Sequence, residues 1–330
     1  VARYRSPTKP AKRCQEPFRM ESPGTNLRGN PDSTQQHITE QGADAEDAPS
    51  LRSPLHTLRL MRESAESIMY LLVSYKANRT VKIVYSPRYC EVYANDPASE
   101  PGRIEAIRDS LEGRFPFLEP EPATEGDLLL VHSNHHVESI KRDSHLYEIA
   151  SLAAGGALLA ARTAFSGEPC FGLIRPPGHH ASPADCWGFC FFNNLAVSLK
   201  ALFASGAAKR AVILDFDLHF GDGTDNIFCR EPDVPYIHPS DNSADAFLKR
   251  AERELKAAGD RDILAVSAGF DRGKDDWGDL LDEEDYRRLG EITRDYAVDH
   301  CEGRRYALLE GGYNHRVLGR HVLAFLEGFS

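Results

Sequence analysis

The sequence predicts an α/β fold with a mainly parallel β-sheet, because short apolar runs alternate with helix-forming stretches along residues 81–330. The runs predicted to be strands are 81–85, 127–131, 170–174, 211–217, 234–237, 263–267 and 306–309. The stretches predicted to be helices include 150–163, 194–204, 244–257 and 284–301. With 41% hydrophobic residues, the chain can bury a large core, and we expect residues 81–330 to form one domain.

The first 80 residues differ in composition from the rest. Only twelve of residues 1–50 are hydrophobic and six are proline, which predicts a disordered or non-native N-terminal segment without a core of its own. Residues 51–80 carry apolar side chains such as Leu55, Leu58 and Met61 at helical spacing. This pattern predicts an amphipathic helix or linker that lies on the domain.

The net charge of −11 comes from the predicted domain. Acids and bases balance at seven each in residues 1–50, and residues 51–80 carry five bases and two acids. The acidic domain disfavours nucleic acid and anionic membranes as direct partners and favours cationic substrates. Seven irregularly spaced cysteines, without a secretory signal or a long apolar run, indicate the cytoplasm. No pattern predicts the oligomeric state.

Two predicted strands end in residues that can bind a metal ion. The apolar run 211–214 leads into Asp215, Asp217 and His219, which an extended chain points to one side. Another apolar run ends in Asp271, and functional groups collect at the carboxyl ends of parallel strands. One such residue alone is more often a cap or a core group. Three Asp/His ligands that leave coordination open are typical of a catalytic metal site.

Two further segments carry candidate catalytic groups. His179 and His180 follow a Pro-Pro-Gly turn, which predicts a loop that presents both imidazoles for proton transfer near neutral pH. Gly311 and Gly312 let the backbone approach a ligand closely and precede Tyr313. The Tyr313 hydroxyl is a candidate for stabilising an oxyanion.

Other noticeable residues are expected to be structural. His135 and His136 lack a Pro-Pro-Gly turn and nearby acids, and we predict a surface loop there. Trp187 is expected to pack at the rim of the site. Cys186 and Cys190 are interpreted as small packing residues, because the Asp/His set already supplies the metal ligands.

Five motifs in this order resemble those of the histone deacetylase superfamily, which includes bacterial and archaeal deacetylase-like proteins, acetylpolyamine amidohydrolases and acetoin-utilisation proteins. They are Arg-Pro-Pro-Gly-His-His (175–180), Gly-Phe-Cys-Phe-Phe-Asn-Asn (188–194), Asp-Phe-Asp-Leu-His-Phe-Gly-Asp-Gly-Thr (215–224), Ser-Ala-Gly-Phe-Asp (267–271) and Glu-Gly-Gly-Tyr-Asn (310–314). The resemblance runs from about Val81 to the C-terminus. It implies a doubly wound α/β catalytic domain, with a mainly parallel sheet and helices on both faces, as in arginases.

The resemblance also implies roles for individual residues. The implied metal ligands are Asp217, His219 and Asp271; the implied catalytic residues are His179, His180, Tyr313, Asp215 and Asp222; the implied substrate-binding residues are Phe189, Gly188, Gly311 and Gly312. Zinc is the usual ion in this family, and a carboxylate-rich site also tolerates Fe²⁺. A potassium ion is expected near Asp215.

The expected activity is that of a zinc-dependent deacetylase acting on an N-acylated amine, such as acetyl-lysine or an acetylpolyamine. The metal ion activates water, His179 or His180 removes the proton, and Tyr313 helps to stabilise the oxyanion. One well-placed donor contributes about 3 kcal/mol to that stabilisation. Asp215 and Asp222 orient the imidazoles. The sequence does not assign base and acid between the two histidines.

The sequence departs from the family pattern in three places. The usual Gly-His-Pro-Glu-x-Pro-x-Arg motif lacks its histidine, and only the Glu-Pro-x-Arg part survives at 100–103. The segment 133–149 is short, with Asp143 as a weak substitute for the acid that grips the substrate backbone. The segment 238–246 lacks an aromatic wall. We therefore expect a more open active site than in the eukaryotic enzymes.

Two other functions remain open. A non-catalytic module that binds acylated ligands would keep the pocket, and the shortened loops are the argument for it. An arginase-like hydrolase with two manganese ions would need a second Asp-x-His/Asp set, and the sequence shows none.

Overall fold

The computed structural model describes residues 80–330. The predicted segment 1–50 and all but the last residue of the predicted helix 51–80 lie outside these residues. The strands are β1 Lys82–Val84, β2 Phe117–Leu118, β3 Cys170–Gly172, β4 Ala211–Asp215, β5 Tyr236–Ile237, β6 Ile263–Ala268 and β7 Arg305–Leu309. The α-helices are α1 Arg103–Leu111, α2 Glu125–Leu128, α3 Asn134–Lys141, α4 Ser144–Phe165, α5 Asn194–Ala204, α6 Asp222–Phe228, α7 Ala244–Ala258, α8 Glu283–His300 and α9 His315–Phe329.

The strands form one sheet in the order β2-β1-β3-β7-β6-β4-β5, and every neighbouring pair is parallel. Helices α4 and α5 pack against each other and against the central strands. Helices α1, α8 and α9 form a second packed group, which α7 joins through α8. The predicted doubly wound α/β class, with a parallel sheet and helices on both faces, is confirmed.

Two local predictions are wrong. Residues 127–131 do not form a strand, because Thr124 and Asp127 exchange side-chain and backbone hydrogen bonds that start the short helix α2 instead. The strand beside β1 is β2, two residues long, just before this helix. His135 and His136 lie in helix α3, whose N-terminus Ser133 caps, and not in a surface loop.

The central strands, which lead to the candidate site, lie in the core of the domain. Every residue of β4, β6 and β7 is buried. Burying one large aliphatic side chain contributes roughly 1.5–3 kcal/mol to folding. The burial of these strands therefore stabilises the positions of the residues at their carboxyl ends. Among residues 80–330, no helix combines the length and the apolar composition that a membrane span requires.

The register of the sheet aligns the carboxyl ends of four strands. Asp215 at the end of β4 pairs with Ser267 of β6, and Ser267 pairs with Leu308 of β7. Leu308 also pairs with Gly172, the last residue of β3. The loops that follow these four strands therefore leave the sheet at the same edge.

Candidate metal centre and active site

The loops at this edge carry the candidate residues that the sequence predicts. The loop after β3 carries the histidine pair 179–180, and the loop after β4 carries Asp217 and His219. Asp271 follows β6, and Tyr313 follows β7. Segments up to 134 residues apart in the chain thus meet because their strands are neighbours in the sheet.

Asp217, His219 and Asp271 each offer one ligand atom within 4.8 Å of the others. Nδ1 of His219 lies 3.2 Å from Oδ1 of Asp217 and 3.1 Å from Oδ2 of Asp271. Both carboxylates are buried, whereas the His219 side chain is 40% exposed. Three protein ligands with one accessible side match a metal centre that leaves room for another ligand.

Backbone amides hold the outer oxygens of both carboxylates. The N–H of Leu218 donates to Oδ1 of Asp271 at 2.9 Å, and that of Gly311 donates to Oδ2 of Asp217 at 2.8 Å. A Cβ atom on Gly311 would lie 2.6 Å from the same Asp217 oxygen, so this approach requires glycine. Oδ2 of Asp271 is buried and accepts no hydrogen bond of normal geometry within residues 80–330. Such an oxygen beside two other ligand atoms fits a divalent cation.

The protonation of these groups is interdependent. The Asp217 and Asp271 carboxylates, each within 3.2 Å of Nδ1 of His219, raise the pKa of His219 to about 9. Burial and the neighbouring Asp217 carboxylate raise the pKa of Asp271 to about 6. Burial opposes ionisation of Asp217, but His179 and His219 outweigh burial and lower its pKa. A cation that binds here must therefore displace a proton from His219.

His179 lies between two carboxylates. Its Nδ1 is 3.0 Å from Oδ2 of Asp215, and its Nε2 is 3.9 Å from Oδ1 of Asp217. The Tyr236 hydroxyl also donates to Oδ2 of Asp215, at 2.8 Å. Burial opposes protonation of His179, but Asp217 and Asp215 outweigh it and raise its pKa well above the usual value. The site thus favours a positive charge on His179.

His180 has the opposite character. Its Nδ1 lies 2.7 Å from Oδ1 of Asp222, whose other oxygen accepts from the Trp187 indole N–H at 2.8 Å. The Trp187 ring lies against His180, with centroids 4.0 Å apart and 35° between the planes, and is 47% exposed at the rim of the site. Burial and the charge of His179 lower the pKa of His180 to about 4. A neutral imidazole of this kind can accept a proton at neutral pH.

Aromatic rings enclose Tyr313. Its ring stacks on Trp277, with centroids 4.1 Å apart and 24° between the planes. Phe189 meets Tyr313 edge-on at 6.1 Å. The backbone of Phe189 has φ 66°, a left-handed conformation that costs a bulky residue roughly 1–3 kcal/mol and is common at functional sites. Gly188 before it has φ 60°, and a Cβ atom there would lie 2.4 Å from the His180 ring.

Polar contacts fix the backbone around Tyr313. The carboxylate of Asp276 accepts the N–H of Tyr313 at 2.8 Å. Arg103 donates to the carbonyl oxygens of Gly312 at 2.7 Å and Glu310 at 2.6 Å, and its guanidinium lies 5.4 Å from the Tyr313 ring centroid. Arg103 is the arginine of the surviving Glu-Pro-x-Arg motif, so this remnant supports the Tyr313 loop.

Glu310 is a site residue whose role the sequence does not predict. Its Oε2 accepts the N–H groups of Gly178 at 2.7 Å and His179 at 3.2 Å, and Ser267 donates to its Oε1 at 3.3 Å. Burial raises its pKa to about 7. Glu310, His179 and Cys190 also form a group of metal-ligand type. Glu310 already accepts three hydrogen bonds, whereas Oδ2 of Asp271 in the first group accepts none of normal geometry within residues 80–330. The two groups therefore differ in the carboxylate oxygens that they offer to a metal ion.

The shortened loops differ from expectation in their contacts. Asp143 accepts the N–H of Leu146 and caps helix α4, which leaves no support for a role in gripping substrate. The missing aromatic wall is predicted for segment 238–246, after β5, whereas Trp277 brings an aromatic ring to the site from the loop after β6. This side chain is 52% exposed and meets His219 edge-on at 5.9 Å.

Comparison with known proteins agrees with this geometry. A family model for the histone deacetylase domain matches residues 97–240. A probable deacetylase of Methanothermobacter thermautotrophicus is 31% identical over 301 residues, which cover 74% of this chain and 89% of that protein. The histone deacetylase-like amidohydrolase of Pseudomonas aeruginosa is 30% identical over 283 residues, with 69% and 74% covered.

A solved structure extends the similarity to three dimensions. The crystal structure of the HDA15 HD domain matches with a TM-score of 0.67 and 25% sequence identity, over 76% of this chain and 89% of that one. The similarity therefore extends over about three quarters of the chain and is not confined to the motifs. On these grounds the chain belongs to the histone deacetylase superfamily.

Proposed function

We propose that this protein is a metal-dependent deacetylase that hydrolyses the amide bond of an N-acylated amine, such as acetyl-lysine or an acetylpolyamine. The observation that carries the proposal is the meeting of three groups at one sheet edge: the Asp217, His219 and Asp271 cluster, the paired histidines, and Tyr313. Membership of the deacetylase family supports the reaction class.

The metal ion is proposed to bind Asp217, His219 and Asp271, with zinc or Fe²⁺ as candidates. Two observations support this choice: Oδ2 of Asp271 is buried and accepts no hydrogen bond of normal geometry within residues 80–330, and His219 has an open side. When bound, a divalent ion supplies Lewis-acid activation of water and of the amide carbonyl. In the second group, both carboxylate oxygens of Glu310 already accept hydrogen bonds, which argues against a dinuclear arginase-like centre.

His180 is proposed as the group that moves protons. Its lowered pKa keeps it neutral at pH 7, ready to accept a proton from water and then return it to the departing amine. Asp222 orients the ring through Nδ1. His179 is proposed to remain protonated between Asp215 and Asp217 and to contribute positive charge near the reacting carbonyl.

Tyr313 is proposed to donate a hydrogen bond to the carbonyl oxygen as it gains negative charge. Burial, together with Asp217 and Asp271, raises the pKa of the phenol, so its proton is retained at neutral pH. Removing one such donor typically lowers kcat by roughly 100- to 1,000-fold. Phe189 and Trp277, on either side of Tyr313, are the proposed walls for the acyl chain.

A panel of fluorogenic acyl-lysine and acylated polyamine substrates tests the proposal. Purified protein with zinc, iron or cobalt supplied should hydrolyse at least one member, and a chelator should abolish the activity. Asp217→Ala should be inactive, and Tyr313→Phe should keep the metal while losing most of kcat. Binding of acylated ligands without hydrolysis under any metal would favour the non-catalytic module, and activity only with two manganese ions would favour the arginase-like alternative.

A further inference from the structure

The potassium ion expected near Asp215 does not fit the surroundings of this carboxylate. Oδ2 of Asp215 accepts from Nδ1 of His179 at 3.0 Å and from the Tyr236 hydroxyl at 2.8 Å. Oδ1 accepts the N–H of Asp217 at 3.1 Å, and Nδ1 of His238 faces it at 4.0 Å. Both oxygens thus already accept hydrogen bonds from the described part of the chain, and a cation would have to displace one of these donors.

A protein cation already occupies the adjacent cluster of carbonyl groups. Arg272, which follows the last proposed metal ligand, is 4% exposed. Its Nε donates to the carbonyl oxygens of Phe216 at 3.1 Å and Asp217 at 3.0 Å. Its Nη2 donates to those of Leu218 at 3.3 Å and Pro239 at 3.2 Å. Three of these four carbonyls belong to consecutive residues of the loop that carries the metal ligands.

The guanidinium also connects to Asp215 through a histidine. Nη2 of Arg272 lies 3.2 Å from Nε2 of His238, which must accept this hydrogen bond. The proton of a neutral His238 then sits on Nδ1, the atom that faces Asp215. The ring of Phe247 covers the guanidinium at 5.0 Å. Carbonyl oxygens, an imidazole and an aromatic face together form a binding site for the guanidinium of Arg272.

Charge repulsion opposes a second cation in the same cluster. Two positive charges a few ångströms apart in a protein interior repel each other strongly, because the surrounding dielectric constant is far below that of water. A covalently attached cation also needs no binding from solution. The carbonyl cluster is therefore satisfied by the chain itself.

We propose that Arg272 is a fixed internal cation that takes the place of an exchangeable potassium ion and holds the backbone of residues 216–218. In this way it positions Asp217 and His219 as ligands. Arg272 touches neither substrate nor the reacting atoms, so it is a positioning residue. The inference rests on the proposed metal site, but it does not depend on which acylated amine is the substrate.

The first test needs no substitution. The thermal unfolding midpoint and the zinc dissociation constant of the wild-type protein are measured in potassium chloride and in choline chloride at equal ionic strength. Both quantities should be the same in the two salts. A lower midpoint or weaker zinc binding in choline, restored by potassium, would overturn the proposal.

The second test removes the guanidinium. Arg272→Ala should bind zinc about 10- to 100-fold more weakly, the usual effect of losing a partner that orients a metal ligand. Added guanidinium ion should restore part of this affinity, and Arg272→Lys should lie between alanine and wild type, since lysine keeps the charge but not the fork of donors. Zinc affinity equal to wild type in folded Arg272→Ala would overturn the proposal.

Arg305 provides the matched control. It is also fully buried and donates to backbone carbonyls, those of Phe329 at 2.8 Å and Gly303 at 3.0 Å, but it begins β7 at the opposite end of the sheet. Arg305→Ala should lower the unfolding midpoint without changing zinc affinity in the folded protein. An equal loss of zinc affinity in both variants would mean a general structural role and would overturn the proposal. If wild type bound no zinc, the proposed function would fail, while the salt comparison on unfolding would still decide the potassium question.

Discussion

The rings of Tyr313 and Trp277 lie face to face, 4.1 Å apart at their centroids. Trp277 stands in an Asp-rich loop and is half-exposed, so its burial does little for the core. Its main contact is with the phenol that we propose as a hydrogen-bond donor to the substrate. The stacking therefore restrains the ring of Tyr313.

Replacing Trp277 should therefore reduce catalysis more than stability. Loss of an aromatic pair is worth about 0.5–1.5 kcal/mol, which corresponds to a roughly two- to tenfold fall in kcat/KM for Trp277→Ala. Trp277→Phe keeps a ring and should retain most of the rate. Leu129→Ala, at an exposed apolar residue of another loop, is the control. Wild-type kinetics in Trp277→Ala would show that the stacking is irrelevant to turnover.

Metal binding should strengthen as pH rises. Without metal, His219 has a pKa of about 9 and Asp271 one of about 6, so between these values binding releases one proton from His219. Apparent zinc affinity should then rise about tenfold per pH unit in this window. Competition with a chelator of known proton affinity measures it. His219→Ala should bind weakly and lose this slope; a wild-type affinity that does not change with pH contradicts the assignment of His219 as a ligand.

His132 should make the fold sensitive to acid. Its Nε2 accepts the N–H of Asn193 at 2.9 Å and its Nδ1 faces the carbonyl of Ser182 at 3.1 Å, an arrangement that requires the neutral ring. Burial and the nearby His136 lower its pKa to about 4, below the unfolded value of 6.5. Because the unfolded state then binds more protons, stability falls as pH drops from 6.5 toward 4, by about 1.4 kcal/mol per unit from this group.

Urea unfolding of wild type and His132→Gln across this pH range measures the effect. Glutamine keeps an acceptor for Asn193 but does not titrate. The stability advantage of wild type should shrink as pH falls, whereas a constant difference would exclude His132 as the cause.

Glu310 should stabilise the histidine loop through its hydrogen bonds more than through its charge. Glu310→Ala leaves the buried N–H groups of Gly178 and His179 without their acceptor, at a cost of roughly 1–3 kcal/mol each. Glu310→Gln keeps an acceptor oxygen for both and should lose much less. Denaturant unfolding of the two variants decides the matter, and equal losses would indicate that the charge is essential.

The sequence predicts the central sheet well because β4, β6 and β7 are buried apolar runs, a pattern that needs no tertiary information. The prediction of a strand fails at residues 127–131, where apolar leucines follow a capping box. There the local hydrogen bonds between Thr124 and Asp127 stabilise the start of a short helix instead. His136 is misjudged for a similar reason, since Ser133, three residues earlier, caps the start of a helix.

The residues of the candidate site also divide into those that the sequence predicts and those that it does not. Residues that follow a strand within a recognisable motif, such as Asp217 and Tyr313, are predictable from spacing and resemblance. Tyr236 and Trp277 are not, because each comes from a different segment and acquires its contact only when strands align. The position of Arg272 directly after Asp271 indicates in the sequence that it lies near the site. Only the fold reveals the four carbonyl groups to which it donates hydrogen bonds.

The central claim is that Asp217, His219 and Asp271 share one catalytic metal ion. Metal analysis of wild-type protein and Asp217→Asn, each reconstituted and desalted, tests it most directly when coupled to hydrolysis of the best substrate from the panel. We predict a single divalent ion per chain and activity in wild type, and loss of both in the variant. Full metal content with unchanged activity in Asp217→Asn would contradict this account.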